Sequence, residues 1–461
     1  MNVIHAPRPV AFPLVVSLIA AACTPSSTPL GTLTRTEPAP TVRPTTPPAA
    51  SPGTTRSPRA GPQPTPTIPP EYLALPEPVV PQFIGVNIHF LNPDDNEMDM
   101  LADSGAGLVC TDLSWEVVEQ VMGSYDFSVY DRLVSALSQR GIRILFLLGY
   151  GNRIYGGDEG WAMHTDQVRA AFARYAAAAL ERYADQGIIW EIWPEPDQRH
   201  SPDFARPSLS DYAALVSEAI PAMRNADPHA LIIGPGASHA ATSVYEQLGG
   251  LGVLPLYDAI SVHPYRPEAP ETVISDYRRI RTVLTRYSPD RTLPLVVSEW
   301  GYARGFWVSY PNLTDEEQAE NLVREVLVNL ASEVRFTIWY TWSNQTDDPS
   351  DPNRNFGVLD SNLHRKPAFY ALRTLSHTLD GYRFVARLPA QDSRLYILEF
   401  RKVDQYVFAV WMTGASMTLD LPLPCPHAEV VDLMGSKSQV SVNGGLLALP
   451  VDRAPQYIVC R

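Results

Sequence analysis

Cysteine is scarce in this 461-residue chain, with 4 in all. None stands in a CxxC pair, and no HExxH is present, so the spacing holds no zinc signature. Basic residues are also few: 36 Lys and Arg against 50 Asp and Glu leave a formal charge of −14. Without a basic patch to displace phosphate counterions, nucleic acid is excluded as a partner. The glycine-rich βα turn of dinucleotide-binding folds is missing, and no metal or organic cofactor is implied. Long apolar runs are confined to one place, Val10 to Ala22, too short and too poorly flanked for a permanent membrane span. What the chain does have is apolar mass. It is 45% hydrophobic and 10% aromatic, enough to bury a sizeable core.

The N-terminus reads as an export signal. MNVIHAPRPVAFPLVVSLIAAAC places Arg8 before the apolar run and small residues before Cys23. This arrangement resembles a bacterial lipoprotein signal over residues 1–23, with Cys23 as the lipidated residue and the protein held at the cell surface; soluble secretion after cleavage elsewhere is the alternative. Residues 24–80 are rich in Pro and Thr and read as an extended tether. Any membrane association would run through that anchor alone. Of the remaining cysteines, Cys110 lies within an apolar run, while Cys425 and Cys460 share the C-terminal segment and form a candidate disulfide in an exported protein.

From Pro81 onward, eight β-leaning apolar runs alternate with amphipathic helical patterns: FIGVNIHF, GLVCTDLSW, IRILFLLGY, IIWEIW, LIIGPGAS, AISVHPY, LPLVVSEW and VRFTIWYTW. Near-continuous apolar strands imply a parallel sheet covered by helices. Eight such units over residues 81–376 predict an α/β fold of the (β/α)8 TIM-barrel type. After that the helical period vanishes, and residues 377–461 predict a small antiparallel β-domain of sandwich type packed on the barrel.

In such a barrel the C-terminal strand ends build the site. The strand ends here deliver Asn87 and His89, Asp112 and Trp115, Tyr150 and Asn152, Glu195, Ser238 and His239, His263 and Tyr265, Glu299 and Trp300, then Trp339, Trp342 and Asn344. Two carboxylates ringed by aromatic, amide and imidazole groups suit a sugar: rings stack on its face, polar groups read hydroxyls and carboxylates perform acid–base work. Glu191 shares strand parity with Glu195 and reads as a buried structural carboxylate.

The ordered set WEIWPEPD, SVHPY and VVSEW, with the second and third units and FGVLDSNLHRKPAFYAL, resembles clan A glycoside hydrolases, family 39 first and family 5 next. The resemblance spans about residues 83–375 and implies a retaining hydrolase of β-linked poly- or oligosaccharide. It maps Glu195 onto the acid/base and Glu299 onto the nucleophile. His263 and Tyr265 would hydrogen-bond around the nucleophile and sugar, Trp339 or Trp342 would floor the subsite, and His89, Trp115, Asn152 and Trp300 complete the substrate-binding set.

Two positions depart from the pattern. Pro194 stands where the family has an Asn that contacts the sugar 2-hydroxyl, and Cys110 stands where an Arg steadies the nucleophile. His89 and Arg153 are candidate substitutes for the lost cation. The departures leave a second reading open, a catalytically reduced barrel that binds carbohydrate at the surface without cleaving it. Because Trp193 and Glu195 each precede proline, both are expected in extended conformation, presenting Glu195 on a stiff strand end.

Overall fold

The computed structural model describes residues 70–92, 94–156, 163–198, 208–305 and 312–460. The signal segment, Cys23 and the tether up to residue 69 lie outside the described residues. Each of the eight apolar runs contains one strand: β1 (Ile84–Asn87), β2 (Leu108–Ser114), β3 (Arg143–Gly149), β4 (Ile189–Ile192), β5 (Leu231–Ser238), β6 (Ala259–His263), β7 (Leu295–Trp300) and β8 (Thr337–Trp339). All pair in parallel and in chain order, and β1 closes onto β8 to make a barrel. The helices of the barrel are α1 (Asp95–Asp103), α2 (Trp115–Val118), α3 (Ser128–Ser138), α4 (Asp166–Arg182), α5 (Leu209–Ala226), α6 (Thr242–Gly250), α7 (Ile274–Tyr287), α8 (Asp315–Ala331) and α9 (Pro367–Thr378). Local chemistry sets several helix starts. Thr314 and Glu317 form a capping box at α8, as do Ser208 and Asp211 at α5, each satisfying backbone N–H groups that the first turn leaves unpaired.

The barrel is filled by inward-facing apolar side chains, among them Leu108, Leu145, Ile189, Ile233, Val296 and Ile338. The strands therefore enclose a packed core, and chemistry is left to the mouth. The floor is sealed differently from the expectation that residues up to 80 are tether. The buried Arg143 guanidinium donates to the carbonyls of Gly187, Ala74 and Tyr72. Arg335 likewise donates to Pro76. Two cations that collect backbone carbonyls hold residues 72–80 against the barrel, and Val80 is buried with them.

The C-terminal domain begins after α9. Strands β9 (Arg383–Arg387), β10 (Leu395–Lys402), β11 (Gln405–Met412), β13 (His427–Val431), β14 (Lys437–Ser441) and β16 (Gln456–Cys460) form an antiparallel sheet in the order β14-β13-β16-β11-β10-β9. Strands β12 (Met417–Pro422) and β15 (Leu446–Val451) form a two-stranded sheet beside it. Alternation along the strands divides the side chains. Leu398, Val407, Trp411 and Tyr457 join the barrel core, whereas Ile397, Phe408, Val410 and Ile458 pack with Leu421, Leu447 and Val451 into a second core. A buried pair anchors the junction: Arg324 grips Glu271 through both carboxylate oxygens at 2.7 and 2.6 Å, and the Trp411 indole donates to the same carboxylate at 2.6 Å. Cys425 and Cys460 are joined by a disulfide, and Cys110 is a buried free thiol.

Candidate active site

β4 delivers two carboxylates at different depths. Glu191 points into the barrel, fully buried, and accepts from Ser261 Oγ at 2.5 Å and Ser298 Oγ at 3.1 Å. Glu195 lies beyond the strand end on a turn rather than on an extended strand. Trp193 has φ 43° and Glu195 has φ 53°. Non-glycine residues rarely occupy this left-handed region, and the surroundings over-determine it here. Glu195 N–H donates to the Gly236 carbonyl at 3.2 Å, and Asp197 accepts from Ser238 N–H at 3.1 Å and Ser238 Oγ at 2.5 Å. The turn is thus latched to β5 from both sides of Glu195, which overrides the local preference for extended backbone before proline. Gly236 makes the latch sterically feasible. Its φ is 59°, and a Cβ there would stand 2.5 Å from Glu191 Oε1 and 2.9 Å from His263 Nε2.

β7 uses a different device to present Glu299. The β7–β8 register shifts between Val297 and Trp300. Consecutive residues Ser298 and Glu299 then both reach inward partners: Ser298 bonds Glu191 and His263, and Glu299 accepts from the Tyr265 hydroxyl at 2.8 Å. His263 ties the two strands together, with Nδ1 at 3.1 Å from Glu195 Oε1 and Nε2 at 3.0 Å from Ser298 Oγ. One oxygen of Glu195, one of Glu299 and a ring nitrogen of His263 all lie within 4.8 Å of one another. Such a trio has the donor types of an ion site, but both His263 nitrogens are committed to protein partners and the imidazole has no free lone pair to offer.

Electrostatics follow from this crowding. Burial alone would lower the His263 pKa, but the Glu299 charge and the hydrogen bond to Glu195 outweigh it, raising the imidazole to about 9. At neutral pH His263 is therefore an imidazolium that donates from both nitrogens. Burial pushes Glu299 up to about 7, with Glu195 and Asp112 adding to the rise and His263 and Tyr265 opposing it. Burial raises Asp112 to about 6. The substitutes expected for the missing arginine do not act as such. His89 is pushed down to about 4 by burial and is neutral. Arg153 is exposed and paired with Glu116 at 2.9 Å. The cation at the carboxylate pair is His263.

Of the residues expected in the site, the structure brings together Glu195, Glu299, His263 and Tyr265, while His89 packs edge-on against Tyr340 at 5.6 Å. The others sit elsewhere. Trp115 is wholly buried; its indole donates to Glu119 at 2.6 Å, and its ring packs on Tyr155 and Tyr175. Asn152 spends its amide on the carbonyls of Glu119 and Trp115. Trp300 is buried beside Tyr302 and under Arg266. Trp339 donates to the Phe356 carbonyl at 3.0 Å, Trp342 donates to Glu97 at 3.1 Å, and both are buried. These indoles serve the core because a strand-end tryptophan fits equally between barrel and helices, and sequence does not separate the two uses. Of the other strand-end candidates, half-buried Asp112 and Tyr150 interact electrostatically with the two glutamates, and Ser298 and Asp197 act as positioning residues. For Ser298 and Asp197 the signal was adjacency to the two glutamates, in SEW and PEPD.

The sequence profile of the cellulase family (glycosyl hydrolase family 5) matches residues 75–347. No curated protein sequence matches the chain. Solved structures with the same fold include a family 39 glycoside hydrolase from Bacteroides cellulosilyticus, with a TM-score of 0.71 and 24% identity over 83% of this chain and 81% of that one. They also include a monomeric β-xylosidase from Caulobacter crescentus, at 0.62 and 16% over 84% and 97%. A glucosidase from Croceicoccus marinus gives 0.62 and 14% over 84% and 98%. Both families that the motifs resemble are represented. With more than half of its length matched, the chain belongs to the cellulase family, glycosyl hydrolase family 5, and is a glycosidase of clan A acting on carbohydrate.

Proposed function

We propose that the protein hydrolyses a β-linked oligo- or polysaccharide with retention, using Glu299 as nucleophile and Glu195 as acid/base. The observation that carries this reading is the spacing of the pair, whose carboxylate oxygens approach within 4.8 Å. Retaining enzymes hold their carboxyls about 5–5.5 Å apart, whereas inverting enzymes need about 6.5–9.5 Å to admit a water. In the first step the Glu299 carboxylate bonds to the anomeric carbon as Glu195 gives its proton to the departing glycosidic oxygen. In the second, water attacks the anomeric carbon, its proton passes to Glu195, and Glu299 is released. His263 donates to Glu195 Oε1 and orients it. Tyr265 donates to Glu299 and orients it.

The raised pKa of Glu299 has a kinetic consequence. A nucleophile must be ionised, so kcat/KM should rise with pH through about 7. The test is turnover of aryl β-glycosides and β-glycans by the parent and by Glu195→Gln and Glu299→Gln. Losses of about 10²–10⁴-fold or more in each variant support the enzyme. Carbohydrate binding that survives both substitutions, with no turnover by the parent, establishes the alternative, a carbohydrate-binding surface protein.

We also propose export and lipid anchoring at Cys23. The signal-like N-terminus and the Cys425–Cys460 disulfide support this, since disulfides persist outside the reducing cytosol. A mature N-terminal peptide beginning at lipid-modified Cys23 is the expected mass-spectrometric result; an unmodified Cys23 peptide would remove the anchor.

A further inference from the structure

Glu191 is a third carboxylate at the centre of the barrel, and the two-glutamate mechanism makes no use of it. It is wholly buried on β4. A carboxylate taken out of water is tolerated only where hydrogen bonds and an opposite charge replace the solvent. Both are present at Glu191 Oε1. Ser261 Oγ donates to it at 2.5 Å and Ser298 Oγ at 3.1 Å, and the Nε2 of His263 stands 4.0 Å away.

The protons along this chain can be counted. A serine hydroxyl has one to give. Ser298 gives its own to Glu191, so toward His263 Nε2, at 3.0 Å, the same oxygen can only accept. On the other side of the ring, Nδ1 faces Glu195 Oε1 at 3.1 Å. Beside an ionised Glu195, each ring nitrogen therefore meets an acceptor. A neutral imidazole has one N–H and would leave the second contact as two opposed lone pairs, whereas an imidazolium satisfies both. If Ser298 were free to turn its hydroxyl toward Nε2, a neutral ring would fit equally well. Glu191 removes that option.

The surroundings agree. Burial lowers the affinity of His263 for a proton, but Glu299 from β7 with Glu195 and Glu191 from β4 outweigh it. The residue that β5 sets against the ring is Gly236, which carries no charge. Tyr265, from the loop after β6, spends its hydroxyl on Glu299.

We propose that Glu191 is a positioning residue that acts through Ser298 to keep His263 an imidazolium, the cation that Glu195 and Glu299 share. The catalytic meaning of this rests on the hydrolase reading. The charge on His263 is measurable without turnover, so an inactive parent would sink that reading alone.

The test is the pH titration of the His263 ring by NMR on the full chain with labelled histidine, its signals assigned by their loss in His263→Gln. The parent ring should give up its proton near 9. Glu191→Gln keeps the size and removes the charge, and should lower that midpoint by about one pH unit or more. Ser298→Ala breaks the link between the two groups and should also lower it. A midpoint that stays at the parental value in either folded variant overturns the proposal. So does a parent ring that is already neutral at neutral pH, a result that needs no variant to fold.

Discussion

The two ends of the barrel are built by opposite rules. At the floor, Arg143 places its guanidinium on three carbonyls, and the chain before β1 is clamped with it. At the mouth, Trp193, Glu195, His239 and Ala240 have positive φ, carboxylates crowd one imidazolium, and buried polar atoms such as Asn87 Oδ1 and Trp300 Nε1 stand without partners. Satisfied groups stabilise, whereas strained and unsatisfied ones are tolerated only where the surrounding fold holds them and a ligand can complete them. The comparison teaches where this protein keeps its stability and where it keeps its chemistry.

The floor is the place to lose stability without losing chemistry. Arg143→Met strands three carbonyls and should lower the unfolding free energy by about 3 kcal/mol, measured by denaturant titration. Its folded fraction should keep the parental kcat/KM. If activity falls in proportion to nothing but the Arg143 substitution at full folding, the separation between floor and mouth is not real. Gly236→Ala should do the reverse. The added methyl meets Glu191 and His263 at a positive φ, costing about 1–3 kcal/mol and displacing the imidazolium, so kcat/KM should fall by more than the loss of stability explains.

The smallest effect sharpens the electrostatic side. Glu299 is an acid whose folded pKa lies above its ordinary 4.5, so its contribution to stability declines as pH rises from 4.5 through about 7. Glu299→Gln should therefore gain melting temperature relative to the parent at pH 8 more than at pH 5. A gain that is the same at both would mean that Glu299 titrates normally.

Much of this was legible in the sequence. Eight apolar runs predict eight strands because a parallel strand, covered on both sides, needs apolar residues throughout, and each run contains one. Glu195 and Glu299 were legible because they follow such runs directly, as were His263 and Tyr265. The four tryptophans Trp115, Trp300, Trp339 and Trp342 were not, since burial between layers demands the same residue type as stacking on a sugar. Nor was the conformation of the WPEP turn, because the rule for residues before proline is local, and the turn is fixed by Gly236 and Ser238 from another strand. The charge on His263 depends on carboxylates from β4 and β7 that only the closed barrel assembles. The same closure places residues 72–80, which read as tether, against the floor.

One measurement bears most directly on the retaining mechanism. A slow-turnover aryl 2-deoxy-2-fluoro-β-glycoside, which slows breakdown of a glycosyl-enzyme, should add one sugar mass to the intact protein. Peptide mapping should place that mass on Glu299. A label on Glu195, or no adduct together with product of inverted anomeric configuration, would contradict double displacement through Glu299.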